Sequence, residues 1–123
     1  MRDIQIYKID KQATLPTRNY STDAGLDIYA SENVFIPLNE TVIISTGVAV
    51  RIPEGFIGKI EDRSSMSIKG LRTGGGCIDF GYTGEVGIVM HNLNNSSHLN
   101  GLKNGYWVSI GDKVAQLVIY KIE

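Results

Sequence analysis

An apolar alternation with period two runs along almost the whole chain, and it restricts the fold more than any other feature. It passes through Ile4, Ile6 and Ile9, then Leu26 to Ala30, Val34 to Ile36, Val42 to Ile44 and Val48 to Ile52. Further runs are Phe56 to Ile60, Val86 to Met90, Tyr106 to Ile110 and Val114 to Tyr120. Side chains of an extended strand point alternately to opposite faces, so such a run buries one face and wets the other. β-Branched and aromatic residues dominate these runs, as strands favour. Between them stand Pro53-Glu54-Gly55, Thr83-Gly84, Asn100-Gly101, Asn104-Gly105 and Gly111-Asp112, residue types that supply the fixed or positive φ of tight turns. No long segment of period 3.6 interrupts them. The pattern predicts an all-β antiparallel sandwich or barrel, with at most one short helical turn near 64–70.

A chain of 123 residues and 13.5 kDa hides about two-thirds of its unfolded surface on folding. That supports one core without disulfides or metals, so a single domain spanning 1–123 is expected. Twelve basic residues against 13 acidic ones argue against a polybasic nucleic-acid or membrane surface, while allowing local phosphate-binding cations. The lone Cys77 excludes a disulfide framework and fits a reducing compartment. No secretory leader or membrane-length apolar run is visible, so a cytoplasmic or other intracellular location is expected.

One segment breaks the strand pattern: Arg63-Ser64-Ser65-Met66-Ser67-Ile68-Lys69-Gly70. With Ser64 as N-cap and Gly70 at C′, one to two helical turns fit. Amides at the serine end beside a guanidinium make a phosphate site. The densest glycine cluster, Thr73 to Gly84, allows close approach of a ligand to bare backbone. Composition alone favours a bulged hairpin there, because neither a Walker loop nor a dinucleotide fingerprint is present. Within it, Asp79 is either a water-orienting carboxylate or an acceptor of turn amides, and Tyr82 either stacks on a sugar or packs. His91 and His98 lack metal-ligand context. Cys77 reads as a small buried hydrophobe, and Asn92 to Gly105 as a solvated hairpin loop.

Four segments, in order, resemble the trimeric deoxyuridine triphosphatase (dUTPase) family. They are Ala24-Gly25-Leu26-Asp27-Ile28-Tyr29, Arg63-Ser64-Ser65-Met66, Gly76-Cys77-Ile78-Asp79-Phe80-Gly81-Tyr82-Thr83-Gly84, and Gly111-Asp112-Lys113-Val114-Ala115-Gln116-Leu117. The resemblance implies a jelly-roll-type β-barrel, a homotrimer with sites between subunits, and hydrolysis of dUTP to dUMP and pyrophosphate. That reaction serves dUMP biosynthesis and keeps uracil out of DNA. The implied base is Asp79, acting on the water that attacks the α-phosphorus. Tyr82 is implied to lie against the deoxyribose, and the backbone of Gly76, Cys77 and Ile78 to read the uracil edge. Arg63, Ser64, Ser65 and Gln116 are implied phosphate contacts, with Asp27 in support and Thr73 and Gly87 completing the substrate set. Mg²⁺ is the implied cofactor, held by phosphate oxygens and water rather than by a protein cage.

The chain departs from the family pattern in three places. Asp62 stands where proline usually precedes the arginine, Thr83 stands where an arginine usually follows the tyrosine, and Lys121-Ile122-Glu123 ends the sequence where a glycine-rich fifth motif usually follows. A carboxylate at 62 is tolerable beside a triphosphate only if paired with a cation. Two alternatives come with these departures. A lidless nucleotide sensor or protein-binding module would bind without turnover. A dCTP deaminase relative would need a glutamate where Val89 stands.

Overall fold

The computed structural model describes residues 4–95 and 104–122. They form ten strands and one short helix: β1 (Gln5–Lys8), β2 (Gly25–Tyr29), β3 (Val34–Pro37), β4 (Thr41–Arg51), β5 (Phe56–Glu61), α1 (Ser64–Ser67), β6 (Leu71–Gly74), β7 (Cys77–Ile78), β8 (Glu85–Asn92), β9 (Gly105–Val108) and β10 (Lys113–Lys121). One sheet has the order β1-β4-β8-β6, a second β2-β10-β5-β7, and β3 pairs with β9. All recorded pairings are antiparallel. This is the all-β antiparallel arrangement that the alternation predicts, with the jelly-roll-like character that the family resemblance implies.

The core lies between the sheets. Ile44, Val50, Ile88 and Met90 from one sheet, and Ile28 and Leu117 from the other, are each 0% exposed and belong to one cluster. Each such side chain contributes roughly 1.5–3 kcal/mol through burial. The runs 42–44 and 48–52, separate in the sequence, join in the single strand β4. Ser45 opposes Gly87 and Ala49 opposes Glu85, so three residues of β4 bulge out against one of β8. The turn residues behave as their chemistry dictates at Gly55 (φ 87°) and Gly111 (φ 89°). The left-handed residue of the 79–84 segment is Gly81 (φ 98°), not Gly84. His98 and the Asn100-Gly101 pair lie outside the described residues. Among the described residues, no helix is long and apolar enough to cross a membrane.

Four expectations need correction. The glycine cluster is not a hairpin, because β6 pairs with β8 while β7 pairs with β5. The triglycine therefore carries the chain from one sheet to the other, with Gly75 at φ 56°. Cys77 is exposed, not buried, because Ile78 beside it takes the inward position at 7% exposure. Ser64 is not the cap of α1. That position belongs to Arg63, without a side-chain bond, and the first turn closes on the Arg63 carbonyl. Finally, Asn92 and Asn94 are buried. Asn92 Nδ2 donates to the Ile36 carbonyl (3.0 Å) and Asn94 Nδ2 to the Lys69 carbonyl (2.6 Å), so these two residues tie β3 and the turn after α1 to the end of β8, while residues 96–103 lie outside the described residues.

The corner between β5 and β6 is closed by Asp62. Its Oδ2 lies 2.7 Å from Arg72 Nε, and its Oδ1 accepts from the Thr73 N–H (2.7 Å) and hydroxyl (2.8 Å). Partial burial raises the Asp62 pKa, but the Thr73 and Arg72 hydrogen bonds and the Arg72 charge together outweigh it and hold the carboxyl below its ordinary 3.8. The extra carboxylate is thus paired with a cation, which removes the conflict with a nearby polyanion.

Ile44→Ala is expected to lower stability by about 3 kcal/mol, whereas Ile68→Ala, at a residue 77% exposed, should stay within about 0.5 kcal/mol; urea unfolding of both variants checks this. Asp62→Ala should lose about 1 kcal/mol at neutral pH. A depressed folded-state pKa stabilises above the unfolded value and ceases to do so as pH falls through the folded one. The gap between wild type and Asp62→Ala should therefore close as pH drops below 3.8.

Candidate active site

Two clefts gather most of the residues singled out in the sequence and share none of them, while Asp79, Gly76 and Thr73 line neither. The first, of about 250 Å³, is lined by Asp27, Arg63, Ser64, Ser65 and Gln116. β2 brings Asp27 and β10 brings Gln116, which are register partners in one sheet. The Arg63-Ser64-Ser65 segment is held over them because Met66 plugs into the core at 5% exposure, leaving both serines exposed. Gln116 Nε2 donates to the Asp62 carbonyl at 2.9 Å, and a Cβ at Gly25 would sit 2.5 Å from its Oε1. The glycine of the first motif is thus the space into which Gln116 fits.

Lys113, beside the cleft, tips its charge balance to positive. Asp27 lies 3.7 Å from Arg63 Nε and 3.4 Å from Lys113 Nζ, and Arg63 Nη1 also donates to the Lys113 carbonyl at 3.3 Å. One carboxylate between two cations leaves net attraction for an anion, and the carboxylate orients the cations. Lys113 has no assigned role in the sequence, although it stands within the fourth motif. Only the pairing of β10 with β2 shows that it meets Asp27.

The second cleft, of about 230 Å³, is lined by Ile60, Gly75, Cys77, Ile78, Tyr82, Glu85, Val86 and Gly87. β7 is the outer strand of its sheet. The Gly76 carbonyl is taken by the Ile60 N–H at 2.8 Å. Alternation along the ladder then turns the N–H and C=O of Cys77 away from β5 and off the sheet edge. A donor and an acceptor of fixed spacing are left there for a planar polar ligand. Gly76 approaches β5 so closely that a Cβ would lie 2.9 Å from the Ile60 carbonyl, so only glycine fits. Gly87 lines the cleft without a side chain to fill it.

Asp79 follows Ile78 at the start of a turn in which Tyr82 N–H donates to the Asp79 carbonyl (3.1 Å). Asp79 is exposed. Among the described residues, no hydrogen bond or ion pair engages its carboxylate. Thr73 lines neither cleft, since both its N–H and its hydroxyl are spent on Asp62. Thr83, where the family usually has arginine, accepts at its carbonyl from Arg51 Nη1 (3.3 Å), so a cation still reaches this turn, from β4. His91 bonds Thr41 Oγ1 through Nδ1 at 2.7 Å. Among the described residues, no three His, Cys, Asp or Glu side chains converge as a metal site. With Asp27 held by two cations, the donor set suits a metal that arrives on a ligand's phosphate oxygens.

A family model described as dUTPase matches residues 11–123. The deoxyuridine 5'-triphosphate nucleotidohydrolase of Debaryomyces hansenii is 36% identical over 122 residues, covering 98% of this chain and 71% of the relative. Among solved structures, a mutant dUTPase from phage phi11 of S. aureus, described with a structural Mg(II) ion, superposes with a TM-score of 0.90 at 35% identity. That match covers 99% of this chain and 92% of that one. The Staphylococcus bacteriophage 80alpha dUTPase with dUPNHPP gives 0.91 at 33% identity, covering 100% and 85%. The family-model match, the sequence identity and the superposition over nearly the whole chain agree, and the chain belongs to the dUTPase family.

Proposed function

We propose that the two clefts are complementary halves of one dUTP site, the β7 edge taking the nucleoside and the Arg63 cleft taking the phosphates. The reaction is hydrolysis of dUTP to dUMP and pyrophosphate. The observation that carries the division of labour is the chemical contrast between the clefts. One offers an outward N–H and C=O on Cys77 beside an aromatic ring. The other offers Arg63, Lys113 and two exposed serine hydroxyls around a single carboxylate.

Uracil presents a donor flanked by acceptors on one edge, and a strand edge with fixed polarity pairs with that pattern. Cytosine would leave a buried polar mismatch, and the methyl group of thymine would collide with the narrow slot. The Tyr82 ring supports the deoxyribose face and leaves no room for a 2′-hydroxyl. Asp79, exposed and with no side-chain partner among the described residues, takes a proton from the attacking water as the water's oxygen bonds to the α-phosphorus. The bond from that phosphorus to the bridging oxygen breaks, and pyrophosphate leaves. Arg63, with Gln116, Ser64 and Ser65, holds the phosphates in line, and Lys113 adds charge. Mg²⁺ carried by the triphosphate would supply charge neutralisation on the phosphate oxygens.

The family's trimeric assembly, with sites between subunits, supports an arrangement in which one subunit's β7 edge faces another subunit's Arg63 cleft. Glu85, the carboxylate of the nucleoside cleft, is bonded to two main-chain amides. It is not free to shuttle protons to a cytosine ring.

Pyrophosphate release should be rapid with dUTP and at least ~100-fold slower, in kcat/KM, with dCTP, UTP and dTTP; comparable rates across the four would refute the slot reading. Asp79→Asn should lower kcat by at least ~100-fold while leaving nucleotide affinity within a few-fold, and unchanged turnover would remove Asp79 as the base. Light scattering should give about three times the 13.5 kDa chain mass; a monomer with full activity would contradict a site shared between subunits.

A further inference from the structure

Tyr82 is held from three sides. Its N–H donates to the Asp79 carbonyl (3.1 Å) and its hydroxyl to the Glu85 carbonyl (2.8 Å). A Cβ on Gly84 would lie 2.8 Å from that hydroxyl oxygen. The ring is therefore folded back along its own chain, over the glycine, with its outer end tied to the first residue of β8. At 47% exposure, packing alone does little to fix it.

The far anchor of the ring is thus the main chain of Glu85, and Glu85 is fastened to another strand. Its Oε2 accepts from the N–H of Thr46 (3.1 Å) and of Gly47 (3.0 Å). Both amides lie in the bulge of β4, where the register shift takes them out of the ladder with β8. Thr46 is fully buried, so its amide needs a partner from within the protein. The bulge itself has little freedom. Gly47 has φ 67°, and a Cβ there would meet Ala13 at 2.8 Å and Asp10 at 2.9 Å. Its carbonyl accepts from the Ile9 N–H at 2.8 Å. A charged acceptor on two fixed amides is one of the stronger tethers available to a side chain.

We propose that Glu85 is a positioning residue for sugar discrimination. By tying the carbonyl that holds the Tyr82 hydroxyl to the rigid bulge of β4, it sets how close the ring stands to the 2′ position of the nucleotide; this rests on Tyr82 as the deoxyribose platform. Steric rejection of one hydroxyl tolerates little slack, because a ring free to retreat admits the larger sugar. Glu85 touches no reacting atom in this scheme and acts only through Tyr82.

The test compares kcat/KM for dUTP and UTP, by pyrophosphate release, in wild type, Glu85→Ala, Glu85→Gln, Tyr82→Phe and Tyr82→Ala, each well below its melting temperature. Glu85→Ala should lower the dUTP-to-UTP ratio by about fivefold or more, and Glu85→Gln, which retains an oxygen acceptor for both amides, should restore it to within about twofold. A Glu85→Ala ratio equal to wild type overturns the proposal, however far its melting temperature falls. If Glu85→Ala does not fold, Tyr82→Phe decides, because it keeps the ring and removes only the link to Glu85. A loss of about threefold supports the tether, and an unchanged ratio overturns it. If Tyr82→Ala leaves the ratio unmoved, the platform assignment fails and takes the proposal with it. If Tyr82→Ala moves the ratio while Glu85→Ala and Tyr82→Phe do not, the platform stands and Glu85 alone is refuted.

Discussion

Successive strand residues face opposite sides of the sheet, so where one side is left open a buried residue has outward neighbours, and the candidate site of this chain follows from that geometry. Ile78 enters the core, so Cys77 and Asp79 on either side are driven to the surface. The same logic places Asp27 between buried Ile28 and half-buried Leu26, and Gln116 between buried Ala115 and Leu117. Packing of the hydrophobic interior and presentation of polar chemistry are therefore one event. Removing Ile78 from the core would displace the outward groups beside it, whatever their own chemistry.

Glycine works here by omission of volume as much as by conformational freedom. Gly25 leaves the space into which Gln116 folds, Gly76 allows β7 to approach β5, and Gly84 allows the Tyr82 ring to lie back. None of these three has a left-handed φ. The left-handed ones, Gly75 and Gly81, instead steer the chain between sheets and round the Asp79 turn. The two functions alternate along one short segment, which explains why so many glycines crowd into it.

Most strands were legible because apolar alternation is a local signal, and β2, β5, β8 and β10 each fall on a clear run. β6 and β7 were not, since Arg72, Thr73 and three glycines interrupt any apolar period. The pairing of a glycine-rich segment is decided by partners far along the chain. The bulge of β4 was equally hidden, because its sequence shows two runs and a gap while the ladder closes over the gap. At the site, the four motifs identify Asp27, Arg63, Cys77, Tyr82 and Gln116 by resemblance. They say nothing of Lys113 meeting Asp27, of Thr73 being spent on Asp62, or of Glu85 reaching β4. Those contacts join residues that only the sheet register brings together.

The brevity of β7 has a further consequence. An open strand edge is hazardous, since a second chain can extend the sheet there and seed aggregates. Two residues, with left-handed Gly75 two positions before them and a reversing turn after them, give an intruding strand almost nothing to zip along. They still leave one donor and one acceptor, those of Cys77, turned off the sheet edge. The edge that the proposed nucleoside contact would use thereby carries little invitation to polymerise.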